Sequence, residues 1–314
     1  MKHYLTGFFM AWGNFCSLPC PCKRWDNDAK SLMLGFLPSV GLIIGAIWAA
    51  LYFAAVYFGI PYLVVAFLVT FLPFALCGFM HMDGFMDCSD AILSRRPLEE
   101  RQRILKDSHT GAFAVVSIAF LILAYFSFAS TAITIGIDFA NMILLVCLSR
   151  SVSGLHVLLC RPMKTSQYAQ MTDAVKESVP SETDDADGTN AASDAADGSR
   201  TEATAEKTIA EAESRDATAL APQSAVAALP KASQPASKKQ GIVLLLVQLV
   251  IYLALAFWCS SYPIVTTLLC LFCVAATCLA ILYARKQLGG MSGDIAGYGI
   301  VWGELFGMLA LALF

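Results

Sequence analysis

The stretch PYLVVAFLVTFLPFALCGFM at residues 61–80 is followed directly by HMDGFMDCSD at residues 81–90. The first part is apolar and has the length of about 20 residues that a helix needs to cross a bilayer. The second part contains three acids, Asp83, Asp87 and Asp90. On a helix, spacings of four and three residues put all three on one face, because each residue turns the chain by about 100°. Like charges this close repel, so the pattern indicates a site for a divalent cation, which then binds phosphate oxygens.

The composition indicates an integral membrane protein. The 314 residues are 57% hydrophobic and 14% charged, with a mean hydropathy of +0.64, whereas soluble domains are about 25% charged. Seven apolar runs have the length of a membrane span. They are residues 32–59, 61–80, 112–135, 139–160, 241–259, 262–284 and 296–314. A shorter run, residues 4–18, contains Gly13 and Asn14 and is predicted as a half-helix or re-entrant segment. We therefore predict an all-α, polytopic helix bundle in the lipid bilayer, with no nucleic-acid partner.

Lys and Arg occupy alternate connections between these spans, which predicts an orientation. They lie before the first span, between the second and third, and between the sixth and seventh, while the connections near Gly59, 136–138 and Ser260 contain none. Because Lys and Arg accumulate in cytoplasmic loops, we expect a prokaryotic cytoplasmic membrane protein with its acidic motif on the cytoplasmic side.

The composition changes abruptly between the fourth and fifth predicted spans. Residues 172–239 are rich in Ala, Ser, Thr, Asp and Glu, and such a segment buries too little apolar surface to offset its ordering entropy. It holds 13 of the 24 acids but 7 of the 21 Lys and Arg, so the remainder carries +3 although the whole chain carries −3. A basic membrane part suits anionic substrates. We predict a first bundle part at 1–171, a disordered cytoplasmic insert at 172–239 and a second bundle part at 240–314.

The loop after the acidic motif contains cations that can pair with phosphates, although membrane topology alone also places cations there. They are Arg95, Arg96, Arg101, Arg103 and Lys106. Asp107 follows at the mouth of the third predicted span, either as a functional acid or as a helix N-cap. His109 is a candidate base, although a histidine in a loop often has no function.

A second polar motif, Gly289-Gly290-Met291-Ser292-Gly293-Asp294, precedes the last predicted span. Three glycines around a Ser and an Asp can direct backbone amides at an anion near a helix N-terminus, and a flexible connector is the alternative. Within the apolar runs, Arg150 and Glu304 are the only strong charges well inside. Such charges usually line an interior path or pair with each other, and Arg150 could also snorkel to the membrane surface.

Together these motifs resemble the cobalamin synthase family, the adenosylcobinamide-GDP ribazoletransferases. Residues 81–90 are similar to the family motif His-Leu-Asp-Gly-Leu-x-Asp-x-x-Asp, and residues 105–111 (LKDSHTG) are similar to Met-Lys-Asp-Ser-x-x-Gly. Residues 289–294 are similar to Gly-Gly-x-Thr-Gly-Asp, with Ser in place of Thr, and Pro19-Cys20-Pro21 is similar to the family's Pro-x-Pro. The chain departs from the family at Ala91, where a glycine is common, and in the insert.

The resemblance implies a transfer reaction that assembles the nucleotide loop of cobalamin. A ribose hydroxyl of α-ribazole, or of its 5′-phosphate, attacks adenosylcobinamide-GDP and releases GMP. It implies that Asp83, Asp87 and Asp90 hold one or two Mg²⁺ ions, and that Asp107 or Asp294 completes the metal shell or accepts the proton. The residues implied to bind substrate are His81, Gly84, Arg95, Arg96, Arg101, Lys106, Ser108, Gly111, Arg150, Gly290, Ser292 and Gly293.

Two other functions remain open at this stage. A CDP-alcohol phosphotransferase or a prenyltransferase also places Asp clusters at helix mouths, but residues 83–88 do not continue as the Asp-Gly-x-x-Ala-Arg run of the former. A transporter would carry polar groups near the bilayer midplane in repeated halves, and no repeat is visible here. Whether the chain forms a homo-oligomer is left open as well.

Overall fold

The structure, a computed structural model, describes residues 2–164, 166 and 237–314. In these ranges it contains eleven α-helices and, apart from one isolated bridge, no β-structure. The helices are α1 (Lys2–Phe15), α2 (Lys30–Gly35), α3 (Leu37–Tyr57), α4 (Tyr62–Leu76), α5 (Met80–Leu93), α6 (Leu98–Ile104), α7 (Ala112–Ile135), α8 (Phe139–Leu159), α9 (Lys238–Cys259), α10 (Pro263–Leu288) and α11 (Gly293–Leu313). The predicted all-α bundle is confirmed.

The predicted disordered insert, residues 172–239, lies outside the described residues except for its last three. Of these, Ser237 is the N-cap of α9, and Lys238 and Lys239 form the start of that helix. The side chain of Ser237 and that of Gln240 form a capping box, which satisfies free amides of the first turn. The second bundle part therefore begins a few residues earlier than its apolar run.

Six helices are long and apolar enough to cross a membrane, namely α3, α7, α8, α9, α10 and α11. The bent pair α4 and α5 could supply a seventh crossing. The chain is therefore a multi-pass membrane protein, as its composition indicates.

The predicted span 61–80 does not form one helix. Helix α4 ends at Leu76, and α5 begins at Met80 with its axis at 87° to that of α4. The turn between them uses left-handed backbone at Gly78 (φ 63°) and Phe79 (φ 59°). Apolar side chains continue through this turn, so hydropathy gave no sign of it. Because α5 runs nearly perpendicular to α4, it does not continue that helix across the bilayer, and by itself it is not among the candidate spans.

The apolar N-terminal run forms α1, a helix of 14 residues that is not among the candidate spans. Hydrogen bonds join the segment after α1 to the C-terminal end of α4. The amide of Ser17 donates to the carbonyl of Leu76 (2.8 Å), and its hydroxyl donates to the carbonyl of Ala75 (2.9 Å). These bonds satisfy carbonyls that the end of α4 leaves free. They hold α1 beside the turn that leads into α5.

Hydrogen bonds between connections show which helix ends lie together. At one end, Met163 after α8 and Met291 before α11 are joined by a backbone bond of 2.9 Å. At the other end, the amide of Ser261 donates to Asp138 Oδ2 (2.9 Å). The first end carries the predicted functional motifs, and the second carries the connections that lack Lys and Arg.

The two most buried spans, α8 and α11, are joined by an ion pair. Arg150 Nη1 on α8 lies 2.5 Å from Glu304 Oε1 on α11, and their side chains are 0% and 2% exposed. Ser149 Oγ also donates to Glu304 Oε1 (3.1 Å), and Arg150 Nη2 donates to Cys77 Sγ (2.8 Å). Of the alternatives that the sequence left open, the structure shows pairing and not snorkelling.

We predict that Glu304→Ala destabilises the fold by about 3–5 kcal/mol, because it leaves a guanidinium buried without its countercharge. Thermal unfolding of the purified protein in detergent measures this. The double variant Arg150→Met with Glu304→Leu, which removes both charges, should recover most of the loss. A double variant no more stable than Glu304→Ala would contradict this account.

Candidate functional site

The three acids of the predicted motif lie on a helix, as expected. Helix α5 carries Asp83, Asp87 and Asp90 on one face, and Asp83 is exposed while the other two are partly buried. The opposite face is apolar and packs into the bundle through Phe85 and Cys88, which are 3% and 0% exposed. Burial of that face therefore fixes the direction in which the acids project.

Helix α5 crosses α11 at two glycines. A Cβ atom at Gly84 would lie 2.9 Å from the Cα and carbonyl oxygen of Asp294, and a Cβ atom at Gly297 would lie 3.2 Å from the Cα of His81. Only residues without side chains allow two helix backbones to approach this closely. The crossing brings Asp294, from the second predicted motif, next to the acids of the first.

Aromatic side chains hold the same crossing one turn further on. The ring of Phe85 stacks on that of Tyr298, with centroids 5.5 Å apart and an interplanar angle of 15°. Trp302 contacts both rings edge-on, at 6.0 and 6.2 Å. These contacts oppose rotation of α5 about its axis, which would move the acids away from Asp294.

The third acid contacts the start of α7. Gly111 is the N-cap of α7, and a Cβ atom there would overlap the carboxylate of Asp90. Asp107 is therefore not the N-cap, the alternative that the sequence left open. The absence of a side chain at residue 111 lets the second predicted loop approach the acidic face.

Burial and the neighbouring carboxylates together alter the protonation of Asp87. Partial burial raises the pKa of Asp87 to about 7, and the charges of Asp83, Asp294 and Asp90 contribute to the rise. Burial also lowers the pKa of His81 to about 3, so its imidazole is neutral. Asp87, surrounded by three further carboxylates, lies in an environment that a cation would stabilise.

The donor chemistry fits Mg²⁺, which prefers carboxylate oxygens. In the described part of the chain, however, no three His, Cys, Asp or Glu side chains already converge closely enough to hold a metal ion. The acids therefore share a face without forming a closed coordination shell. Magnesium binding at Asp83, Asp87 and Asp90 remains a prediction.

The Gly289–Asp294 loop is ordered by contacts on both sides. Gly289 ends α10 with φ 80°, and Gly290 lies so close to Met163 that a Cβ atom would be 2.8 Å from its amide. Ser292 caps α11 by accepting a bond from the amide of Ile295 (3.3 Å), and its hydroxyl also lies 3.3 Å from Asp294 Oδ2. The flexible connector that the sequence left open as an alternative is therefore not observed, because contacts on both sides fix this turn.

A cavity of about 510 Å³ opens between the ends of α1, α2, α5, α8 and α11. Several predicted site residues line it, and two of them are the acids Asp83 and Asp294. The predicted residues in its lining are His81, Asp83, Lys106, Ser292, Gly293 and Asp294. The cavity is thus shared by all three sequence motifs.

Other predicted residues lie away from this cavity. Arg95 and Arg96 are exposed beyond the end of α5, and Arg101 bonds to Gln287 of α10.

Asp107 is also outside the cavity. It is exposed and bonded to His109 (2.6 Å), and this bond lowers the pKa of the Asp107 carboxyl. Arg150 is enclosed in its ion pair, so the structure does not support its predicted contact with substrate. Ser108 is exposed and does not line the cavity.

The cavity also has lining residues that sequence reasoning missed. They are Asn14, Trp25 and Lys30, contributed by α1, the connection after it and the start of α2. Lys30 is one of the cations before the first predicted span, which the sequence indicates only as markers of membrane orientation. The unexplained polar residue Asn14 in an apolar helix and the Trp beside Lys23 and Arg24 were the available signals.

The chain matches the family model described as Cobalamin-5-phosphate synthase over residues 7–185 and 196–312. It belongs to the cobalamin-5-phosphate synthase family. The resemblance found in its motifs is confirmed, and both regions that meet at the α5–α11 crossing lie inside the match. No solved structure matches the chain significantly.

Several curated relatives of the chain are named adenosylcobinamide-GDP ribazoletransferase. The chain is 36% identical to that of Clostridium perfringens strain 13 over 158 residues, which is 50% of this chain and 63% of the relative. It is 40% identical to that of Clostridium botulinum strain Eklund 17B over 126 residues, 40% of this chain and 50% of the relative. It is 35% identical to that of Geobacillus sp. strain WCH70 over 171 residues, which is 54% of this chain and 65% of the relative. The matches therefore span between half and two thirds of these family members.

We predict that Gly84→Ala forces α5 away from α11, because the new Cβ atom meets backbone that cannot rotate aside. Overpacking of this kind costs about 1–3 kcal/mol, measured by thermal unfolding in detergent. Gly13→Ala is the matched control, since it is also a glycine inside a helix and its Cβ would have only ordinary contacts at 3.9 Å. Equal stability of both variants would contradict the proposed close crossing.

We predict that the metal-free protein becomes less stable as the pH rises from about 4 to about 7. In this window folded Asp87 retains a proton that an unfolded Asp has lost, so the folded state binds more protons. Melting temperatures in EDTA should fall over that pH range. Asp87→Asn should remove the part of this decrease that comes from Asp87. Glu99→Gln, at an exposed acid of α6, should leave it unchanged. An identical pH profile for Asp87→Asn would refute the assignment.

Proposed function

We propose that this protein is an adenosylcobinamide-GDP ribazoletransferase that joins α-ribazole, or its 5′-phosphate, to adenosylcobinamide-GDP. The product would be adenosylcobalamin, or its 5′-phosphate, together with GMP. One observation carries the proposal: the α5–α11 crossing brings the two family motifs together at one cavity. The name shared by the relatives supports the choice of substrates.

In this reaction an oxygen of the ribose forms a bond to the cobinamide-linked phosphorus. The bond from that phosphorus to the oxygen bridging to GMP breaks, and GMP leaves with the electron pair. The hydroxyl proton must pass to a base. Transfers of this kind depend on positioning and neutralisation of charge more than on covalent participation by the protein.

We assign the acidic face of α5 to the diphosphate, with Asp83, Asp87 and Asp90 as ligands of one or two Mg²⁺ ions. Bound Mg²⁺ would neutralise charge on the diphosphate and on the GMP that leaves. The mutual repulsion of the carboxylates supports this assignment. Contact of Asp90 with Gly111 keeps the far end of that face against the α7 loop.

Asp294 is our candidate for the proton acceptor. It lines the cavity beside Asp83, whereas Asp107, the other candidate from the sequence, lies outside it. The hydroxyl of Ser292 lies 3.3 Å from Asp294 Oδ2, where a hydrogen bond would hold the carboxylate in place. Lys106, at the cavity wall, is positioned to pair with a phosphate.

We further propose that the cavity faces the cytoplasm. The Lys and Arg residues of the connections gather at the helix ends that form it, while the opposite connections lack them. The positive-inside rule then places the cavity in the cytoplasm. Both proposed substrates are water-soluble, so they would approach from this side.

Incubation of membranes containing the protein with adenosylcobinamide-GDP, α-ribazole and Mg²⁺ tests the proposal. GMP and a complete corrinoid should appear together, and both should be absent when α-ribazole is left out. A CDP-alcohol phosphotransferase would instead release CMP from a CDP-alcohol, and a transporter would move solute across sealed vesicles without forming GMP. Absence of both products from well-folded protein would exclude the proposed reaction.

We predict that Asp83→Asn lowers turnover at least 100-fold in the purified protein, because it removes a metal ligand while preserving shape. Glu99→Gln is the control, since it removes an exposed acid from α6 that does not line the cavity. It should retain nearly full activity. Near-normal Mg²⁺-dependent turnover in Asp83→Asn would rule out its role in metal binding.

A further inference from the structure

One wall of the cavity takes no part in the chemistry proposed above. It is formed by the segment from α1 to α2, through Asn14, Trp25 and Lys30. A contact of 3.3 Å between His3 Nδ1 and Asp26 Oδ2 holds this segment against α1. Asp26 also accepts a bond from the amide of Asp28 (2.9 Å). The wall is therefore fixed independently of the acids across the cavity.

Trp25 presents an aromatic surface at the cavity. Its side chain is 60% exposed, although Trp residues are on average largely buried in proteins. The indole nitrogen donates to Asn27 Oδ1 (3.1 Å), so the ring orientation is fixed while a large part of its surface stays uncovered. An oriented, uncovered indole is suited to stacking on a planar base.

Lys30, at the start of α2, adds a positive charge to the same wall. It is partly buried, and within the described ranges its ammonium group has no ion pair or hydrogen bond. A partly buried cation without a partner favours an anionic ligand. Lys106, in the loop after α6, also lines the cavity. Two cationic side chains, Lys30 and Lys106, therefore line the same cavity.

His81 supplies a second, independent indication of a ligand. It lines the cavity, is 6% exposed, and its Nε2 atom is buried without a hydrogen-bond partner. Buried polar atoms normally have partners. The polar and aromatic lining together indicates a ligand with a ring system and a charge.

The size of the cavity limits that ligand. At about 510 Å³, it lies in the range of pockets for drug-sized molecules. A nucleoside phosphate is of this size. A corrin ring with its attached nucleotide is much larger than a nucleoside phosphate, so this cavity suits the nucleotide part of the larger substrate better than the corrin part.

We infer that this wall binds a nucleoside 5′-phosphate, with Trp25 stacked on the base and Lys30 paired with the phosphate. The inference rests on the proposed function, which involves two such groups: α-ribazole 5′-phosphate and the guanosine phosphate that leaves. Either ligand would place its ribose between this wall and the acids Asp83 and Asp294.

Isothermal titration of the full-length protein in detergent tests the inference, with α-ribazole, α-ribazole 5′-phosphate and GMP as separate probes. No adenosylcobinamide-GDP is present, so no turnover occurs. We expect Trp25→Ala to weaken binding about tenfold, as loss of one stacked base does, and Trp25→Phe to restore most of it. Lys30→Gln should weaken binding of α-ribazole 5′-phosphate but not that of α-ribazole.

Two matched controls lie away from the cavity. Trp258 is 88% exposed near the far end of α9, and Lys286 is exposed on α10. Trp258→Ala and Lys286→Gln should leave every affinity unchanged. If α-ribazole 5′-phosphate shows the dependence on Trp25, the wall binds the ribazole, and if GMP shows it, the wall binds the guanosine end.

The inference is overturned if the wild-type protein binds no probe, or if Trp25→Ala and Trp258→Ala have equal effects. Transfer activity of the same wild-type preparation separates the two proposals. If the protein catalyses the transfer but Trp25→Ala does not change its affinity for nucleotides, the inference is wrong and the proposed function stands. If nucleotide binding depends on Trp25 but the protein catalyses no transfer, the proposed function is wrong and the nucleotide site stands.

Discussion

The ion pair between Arg150 and Glu304 is the interaction on which the arrangement of the site depends. It joins α8 to α11, the two most buried spans, and both charged side chains are buried from solvent. The second guanidinium nitrogen donates to Cys77, the C-cap residue that follows α4, where the chain turns toward α5. The side chain of Arg150 therefore connects α8, α11 and the end of α4. Movement of any of these three would leave a buried charge without its partner.

From that anchor the site is assembled by close approach of backbones and not by attraction between its functional groups. The acids repel one another, so nothing in their own chemistry would gather them. Gly84 and Gly297 allow α5 and α11 to cross, and the Phe85–Tyr298 stack holds the crossing. Packing energy thus offsets the electrostatic cost of the acidic face, as is common at functional sites.

The sequence predicted the elements and the acids better than it predicted their surroundings. Hydropathy identified the long spans, and the spacing of Asp83, Asp87 and Asp90 correctly predicted a shared helix face. The bend after Leu76 was missed because apolar residues fill the turn, so that only Gly78 hinted at it. The wall formed by Trp25 and Lys30 was missed because it depends on contacts between distant segments, which local periodicity does not encode.

The short helix α4 has a consequence for the surrounding lipid. Its 15 residues rise about 22 Å, less than the roughly 30 Å of a bilayer's hydrocarbon layer. Lipid next to so short a hydrophobic segment thins to match it. Thinner lipid there would bring the aqueous boundary toward the turn at Gly78, so that the bulky, hydrophilic corrinoid proposed as a substrate would reach the acidic face from water.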